Sequence, residues 1–229
     1  MKQRTPKWDR ALEGLTHEEA ESIHRLMRPA TYEPRTPLFH AGEPSTSLVV
    51  VRNGRVRLYL SSANGDEFTL SILTGGSILG LAAAVLGRPR ILSVESIGRV
   101  DASILPVAEM NRCMEALPRF ARNITGLLAV LAVENIERSG PLALDSAASR
   151  LGAILLTLST QDTDPQDGLP SLQGLTQEDL AKMVGTTRTW VTLTLADFER
   201  KGFIRKSPGR ITLIDAAGLQ RYLDANPGR

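Results

Sequence analysis

Between Thr187 and Leu193 the chain reads Thr-Arg-Thr-Trp-Val-Thr-Leu. This short run gathers a guanidinium, several hydroxyls and an indole. Such a set can hydrogen-bond flat heterocyclic edges and phosphate oxygens, but it holds no nucleophile beside a base. No G-x-S-x-G, Walker loop or zinc-spaced His/Cys cluster occurs anywhere in the chain. Gly75-Gly76 with Gly80 do not make a dinucleotide fingerprint. An enzyme with an attached binding tail therefore has no candidate catalytic residue and no metal-ligating set.

The elements that must position this run are legible on either side of it. Thr176 opens a capping box with Asp179. Leu180, Ala181 and Val184 form an apolar stripe at helical spacing, and Gly185 breaks the helix where a tight turn needs a permissive backbone. A second helix follows, with Val191, Leu195 and Phe198 on one face. Phe203-Ile204-Arg205 and Arg210-Ile211-Thr212-Leu213 read as strands joined by a Ser207-Pro208-Gly209 turn. Helix, turn, helix and hairpin make a winged helix-turn-helix, whose second helix enters the major groove of double-stranded DNA. Thr187, Arg188, Thr189, Trp190 and Thr192 stand on that helix. Trp190 either packs on the wing or presses on the sugar-phosphate backbone. Thr176 and Gln177, at the start of the preceding helix, suit a phosphate. Arg210, with Arg205 and Lys206, is expected to make wing contacts.

At 229 residues, with 42% apolar and 23% charged residues, the chain has the composition of an ordinary soluble protein. No apolar run approaches the roughly 20 residues needed to span a bilayer, so no membrane partner is expected. The N-terminus carries no apolar signal core, and the single cysteine, Cys113, suits a reducing compartment; the expected location is cytoplasmic. The net charge of +2 says little, although Lys and Arg outnumber Asp and Glu from Thr176 onward.

Upstream, Trp8 to Met27 reads as a short helical preface capped by Thr16. From Pro37 to Pro106 apolar residues alternate, as in Val56, Leu58 and Leu60, with Asn53-Gly54 and Asn64-Gly65-Asp66 as hairpin signals. This predicts an antiparallel sandwich or small barrel. Phe120, Ile124, Leu127 and Leu131 then begin a coiled-coil seam, widened by Leu128. One face of this helix is expected to meet a partner helix while another rests on the sandwich; the alternative is a helix buried within one subunit. Ser139-Gly140-Pro141 should end or kink it, a further helix should run from about Leu142 to Leu158, and Thr160 to Gln173 reads as a loop.

Sandwich, long helix, hinge and winged helix in this order resemble the CRP/FNR family of bacterial transcription regulators. The resemblance is carried by Val51-Arg-Asn-Gly-Arg-Val56, Gly76-Ser-Ile-Leu-Gly80, Leu175 to Val191 and Ile211-Thr-Leu-Ile-Asp215. It implies an α+β chain with three parts. Residues 1–116 would form an N-terminal antiparallel β-sandwich or jelly roll of the cyclic-nucleotide-binding type. Residues 117–139 would form a long dimerisation helix, paired through Phe120, Ile124, Leu127, Leu128 and Leu131. Residues 140–229 would form the winged helix-turn-helix. It further implies a homodimer on a pseudo-palindromic site, contact with RNA polymerase, and a small-molecule effector in the sandwich. Arg188 falls where the family often carries an arginine that reads guanine; Thr189 and Leu193 replace the glutamate and arginine of well-known members. The alternative is a sensor whose winged helix meets protein rather than DNA.

By the same resemblance the effector pocket would involve Gly80, Leu81, Arg90, Ile91 and Asn135. Members that bind cyclic AMP place a glutamate where this chain has Leu81, and a serine or threonine where it has Ile91. These departures argue against cyclic AMP. One cysteine cannot hold an iron–sulfur cluster, and His17, His24 and His40 match no haem-ligand arrangement.

Overall fold

The computed structural model describes residues 7–62, 65, 67–144, 146–159 and 162–226, with the backbone alone followed along 137–144. The chain divides into two compact units, one reaching Asn135 and the other beginning at Ile136.

The first unit opens with α1 (Trp8–Ala11) and α2 (His17–Arg25). The expected single preface is two helices because Gly14, at φ 72, turns the chain between them. Thr16 and Glu19 close a reciprocal capping box at the start of α2. The strands are β1 (Arg28–Tyr32), β2 (Pro37–Phe39), β3 (Ser47–Asn53), β4 (Arg55–Ser61), β5 (Glu67–Thr74) and β6 (Ile78–Leu79). After α3 (Leu81–Leu86) come β7 (Ser93–Ser96) and β8 (Val100–Pro106). They form two four-stranded antiparallel sheets, ordered β1-β8-β3-β6 and β2-β7-β4-β5.

Val49, Val51, Leu79, Val100 and Ala102 of the first sheet close on Phe39, Val56, Leu73 and Val94 of the second. The opposite face of the first sheet also lies under cover, through Leu48, Val50, Ile78 and Leu105. Burial on both sides explains why Leu48-Val-Val-Val51 is a continuous apolar run rather than an alternating one.

Asn53-Gly54 is not the hairpin its sequence suggests. β3 pairs with β8 and β6, whereas β4 pairs with β5 and β7, so the turn carries the chain from one sheet to the other. Gly54, at φ 90, lies against the Arg99-Val100 backbone, where a β-carbon would collide. The true hairpin is β4–β5. Of its expected Asn64-Gly65-Asp66 turn, Asn64 and Asp66 lie outside the described residues.

α4 (Val107–Ala116) leads into α5 (Pro118–Leu144). Phe120, Ile124 and Leu127 are 0%, 0% and 2% exposed. They complete the core formed by Trp8, Ala11, Ile23, Leu81, Met110 and Cys113, with Leu128 and Leu131 packed against it. Phe120, Ile124 and Leu127 of the expected seam thus serve the core of their own subunit, the alternative that the sequence left open, while Leu128 and Leu131 keep part of their surface. Arg122, Gly126, Ala129, Val133 and Ile136 are exposed instead and step by four, three, four and three residues. They therefore form a second heptad stripe. Of the end or kink expected at Ser139-Gly140-Pro141, the end does not occur, since α5 runs to Leu144. An internal proline removes one backbone bond without necessarily ending a helix. α6 starts at Ala147, not Leu142, where the Ser146 hydroxyl accepts from Ser149 N.

The second unit contains α6 (Ala147–Leu158), β9 (Asp162–Thr163), β10 (Pro170–Gln173), α7 (Gln177–Val184) and α8 (Arg188–Arg200). β11 (Ile204–Ser207), β12 (Arg210–Leu213) and α9 (Ala216–Ala225) complete it. The stretch expected to be a loop supplies two strands of a sheet ordered β11-β12-β10-β9. The pairing of β10 with β12, and of β9 with β10, outweighs the polar, proline-bearing local sequence.

Candidate nucleic-acid interface

α7 and α8 are set by their caps. Asp179, 4% exposed, accepts from Thr176 N and Thr176 Oγ1, each at 2.8 Å, while Thr176 Oγ1 accepts from Asp179 N at 3.1 Å. Gly185, at φ 74, ends α7. Thr187 then caps α8 by accepting from Trp190 N at 3.2 Å. Leu180, Ala181 and Val184 of α7 are buried, as are Val191, Leu195 and Phe198 of α8. Phe198, Phe203 and Tyr222 meet one another's rings, which anchors α8 to the β11 side and to α9.

That burial turns Arg188, Thr189, Thr192 and Leu193 outward. Trp190 is half-buried. The Thr192 hydroxyl lies 2.5 Å from Gln177 Oε1 and 2.9 Å from the Arg188 carbonyl, so Gln177 braces the exposed face of α8. Thr176 is exposed, but its hydroxyl serves the cap.

Arg210, at the start of β12, is tied to Asp164. The Asp164 side chain, 3% exposed, accepts from Thr212 Oγ1 at 2.6 Å, Arg205 Nη2 at 2.9 Å, Arg210 Nη1 at 3.0 Å and Gln166 N at 3.0 Å. The Thr212 and Gln166 bonds, reinforced by the two arginines, hold this carboxyl well below its ordinary value. Arg205 also bonds Asp167 at 2.6 Å, Arg210 bonds Gln173 at 3.1 Å, and Lys206 pairs with Glu199 at 3.0 Å. Arg205, Lys206 and Arg210 are therefore each paired with a carboxylate and brace the wing. Asp164 was missed by sequence reasoning. Its only signal is an acidic turn, Asp164-Pro-Gln-Asp167, whose partners lie some forty residues downstream.

In the first unit, Gly80 and Arg90 meet. Gly80 caps α3 at φ 80, and a β-carbon there would overlap Arg90 Nη1. Arg90 is 5% exposed, donates from Nη2 to the Ser47 carbonyl at 2.6 Å, and stacks 4.1 Å from the Phe39 ring centre. Its Nε and Nη1 have no hydrogen-bond partner among the described residues. Burial lowers the affinity of this guanidinium for its proton, against the opposing pull of Glu43 and Tyr32. Two unpaired donors on a buried cation suit an anion. The other expected pocket residues do not converge here. Leu81 fills the core on the helix side of the first sheet, Ile91 is 57% exposed, and Asn135 lies on the exposed side of α5. Phe39, Ser47 and Tyr32, by contrast, were not foreseen, because only the fold brings their strands to Arg90.

Cys113 is buried, and burial together with Glu109 pushes its thiol above its ordinary value, away from the reactive thiolate.

Residues 149–222 match the model of the Crp-like helix-turn-helix domain, and residues 29–116 that of the cyclic nucleotide-binding domain. The transcriptional regulator SdrP of Thermus thermophilus is 32% identical over 176 residues, spanning 76% of this chain and 83% of that protein. The cyclic AMP receptor protein of the same organism is 27% identical over 207 residues, spanning 90% and 93%. The structure of a CRP/FNR-family transcriptional regulator, also from Thermus thermophilus, superposes with a TM-score of 0.71 at 28% identity, covering 86% of this chain and 98% of the other. With a sensor-type sandwich, a long helix and an outward-facing recognition helix in one chain, the protein is a DNA-binding transcription regulator rather than an enzyme, and it belongs to the CRP/FNR family.

Proposed function

We propose that this regulator works in the cytoplasm as a homodimer, paired through Gly126, Ala129, Val133 and Ile136 of α5. The observation that carries the proposal is the outward face of α8, where Arg188 is exposed and makes no ion pair among the described residues. A guanidinium so placed can give two hydrogen bonds to guanine O6 and N7, worth about 1–3 kcal/mol of discrimination. Two such helices in a dimer read a two-fold-symmetric site with half-sites roughly 34 Å apart. Thr187, Thr189 and Trp190 flank Arg188 against bases or backbone, and Gln177 approaches a phosphate from α7. The bound dimer then helps or hinders RNA polymerase at the promoter.

The effector we infer is an anion held by Nε and Nη1 of Arg90. Cyclic AMP, named for more than one relative, is disfavoured because Leu81 and Ile91 leave the glycine–arginine pair without the further polar groups a ribose phosphate needs. An effector acts by binding the DNA-competent and incompetent states unequally.

Selection of binding sites from a random duplex pool, with purified full-length protein and with or without cyclic AMP, tests this reading. A two-fold-symmetric site should enrich, with no dependence on cyclic AMP, and Arg188→Ala should relax selection at one position in each half-site. No enrichment from folded dimer in either arm would point to an obligatory effector other than cyclic AMP, or to a sensor whose winged helix meets protein instead.

A further inference from the structure

Leu193 is 66% exposed, on the one face of α8 that carries no structural duty. Packing of the helix is already served by Val191, Leu195 and Phe198, all at 1% exposure or less. Thr189 stands one turn before Leu193 and Ala196 nearly one turn after it, both exposed. Thr192 lies beside it. Its single hydroxyl hydrogen is engaged, with acceptors at 2.5 Å on Gln177 and 2.9 Å on Arg188. What Thr192 leaves for a ligand is therefore its methyl group and an oxygen that can accept but not donate. Farther along, the charges answer one another: Asp197 meets Arg200 and Lys201, and Glu199 meets Lys206. The face offered to DNA is thus one guanidinium at the N-terminal end, then the Thr189 and Thr192 hydroxyls, with Leu193 and Ala196 as its apolar part.

Among the base edges in the major groove, the one apolar group is the 5-methyl of thymine. Placed against the N4 amino group of cytosine, Leu193 would desolvate a donor without returning a hydrogen bond. We propose that Leu193 is a specificity-determining residue that reads thymine through its 5-methyl group, with the Thr192 methyl beside it. This rests on α8 being the base-reading helix.

Deoxyuridine differs from thymidine only by the missing methyl. In the selected operator, each thymidine is replaced by deoxyuridine, one symmetric pair of positions at a time, and Kd is measured for the wild-type protein, Leu193→Ala and Leu193→Gln. Burying one methyl changes affinity about fourfold, so one symmetric pair should weaken wild-type binding by roughly 15-fold. At that pair both variants should bind the thymidine and deoxyuridine duplexes alike, with unchanged unfolding midpoints. The proposal is overturned if no thymidine responds in the wild-type protein, or if the penalty persists in both variants. Failure to select any symmetric site is a different result: it removes the base-reading role of α8 and this inference with it.

Discussion

Arg90 lies in the space that a side chain on Gly80 would need: a β-carbon there would overlap its Nη1. Gly80 also adopts φ 80, a conformation that other residues enter only at a cost. Gly80→Ala should therefore destabilise the protein by about 1–3 kcal/mol, through backbone strain and through displacement of Arg90 from the Ser47 carbonyl and the Phe39 ring. Removing the obstacle with Arg90→Met should recover the steric share of that loss but not the backbone share. Urea unfolding of the two single variants and the double variant checks this. Additive effects would mean that the two residues do not contend for the same space.

Ile124 and Gly126 stand two residues apart on α5, and two residues turn a helix by about 200°. One is fully buried in its own subunit and the other is exposed. Ala129→Glu or Val133→Glu should leave the fold intact and convert the dimer to a monomer, with DNA affinity lost alongside. Ile124→Ala should instead lower stability by about 2–5 kcal/mol while any folded protein remains dimeric. Sedimentation, with circular dichroism as the control for folding, separates the cases. A dimer that survives a glutamate at Val133 would place the partner surface elsewhere.

These two faces also show where the sequence stopped being sufficient. Phe120, Ile124, Leu127 and Leu131 hold a heptad spacing as regular as that of Arg122, Gly126, Ala129, Val133 and Ile136. The larger side chains draw attention as a seam, yet large apolar groups are what a subunit needs for its own core, and small ones let two backbones approach closely. The same limit explains Asn53-Gly54, whose local chemistry specifies a reversal but not whether the strands after it pair. The recognition helix was legible because its caps and buried stripe are local: Thr176, Gly185 and Thr187 each act within a few residues. The bracing of the wing was not legible because the partners of Arg205 and Arg210 lie far upstream in sequence, and an unpaired arginine and a braced one look alike in a list of letters.

Asp164 makes that brace testable. Its carboxyl titrates below the ordinary range in the folded protein, chiefly through the Thr212 and Gln166 hydrogen bonds, with Arg205 and Arg210 adding to them. A depressed folded pKa gives stability that is complete above the unfolded value of about 4 and is lost as pH falls below it. Asp164→Asn should therefore lower the urea midpoint at pH 7, and its deficit against the wild type should shrink as pH is taken below 4. The same substitution removes the charge shared by Arg205 and Arg210; Arg205 keeps Asp167, so Arg210 is the wing cation left without a carboxylate partner. If Arg210 then reaches a phosphate, the slope of log affinity against log salt should steepen by up to about 1, with little change in sequence preference. Weaker binding with an unchanged slope would mean that the wing supports α8 only by its shape. Arg188→Ala supplies the contrast, since its loss should fall on one base position and leave the unfolding midpoint where it was.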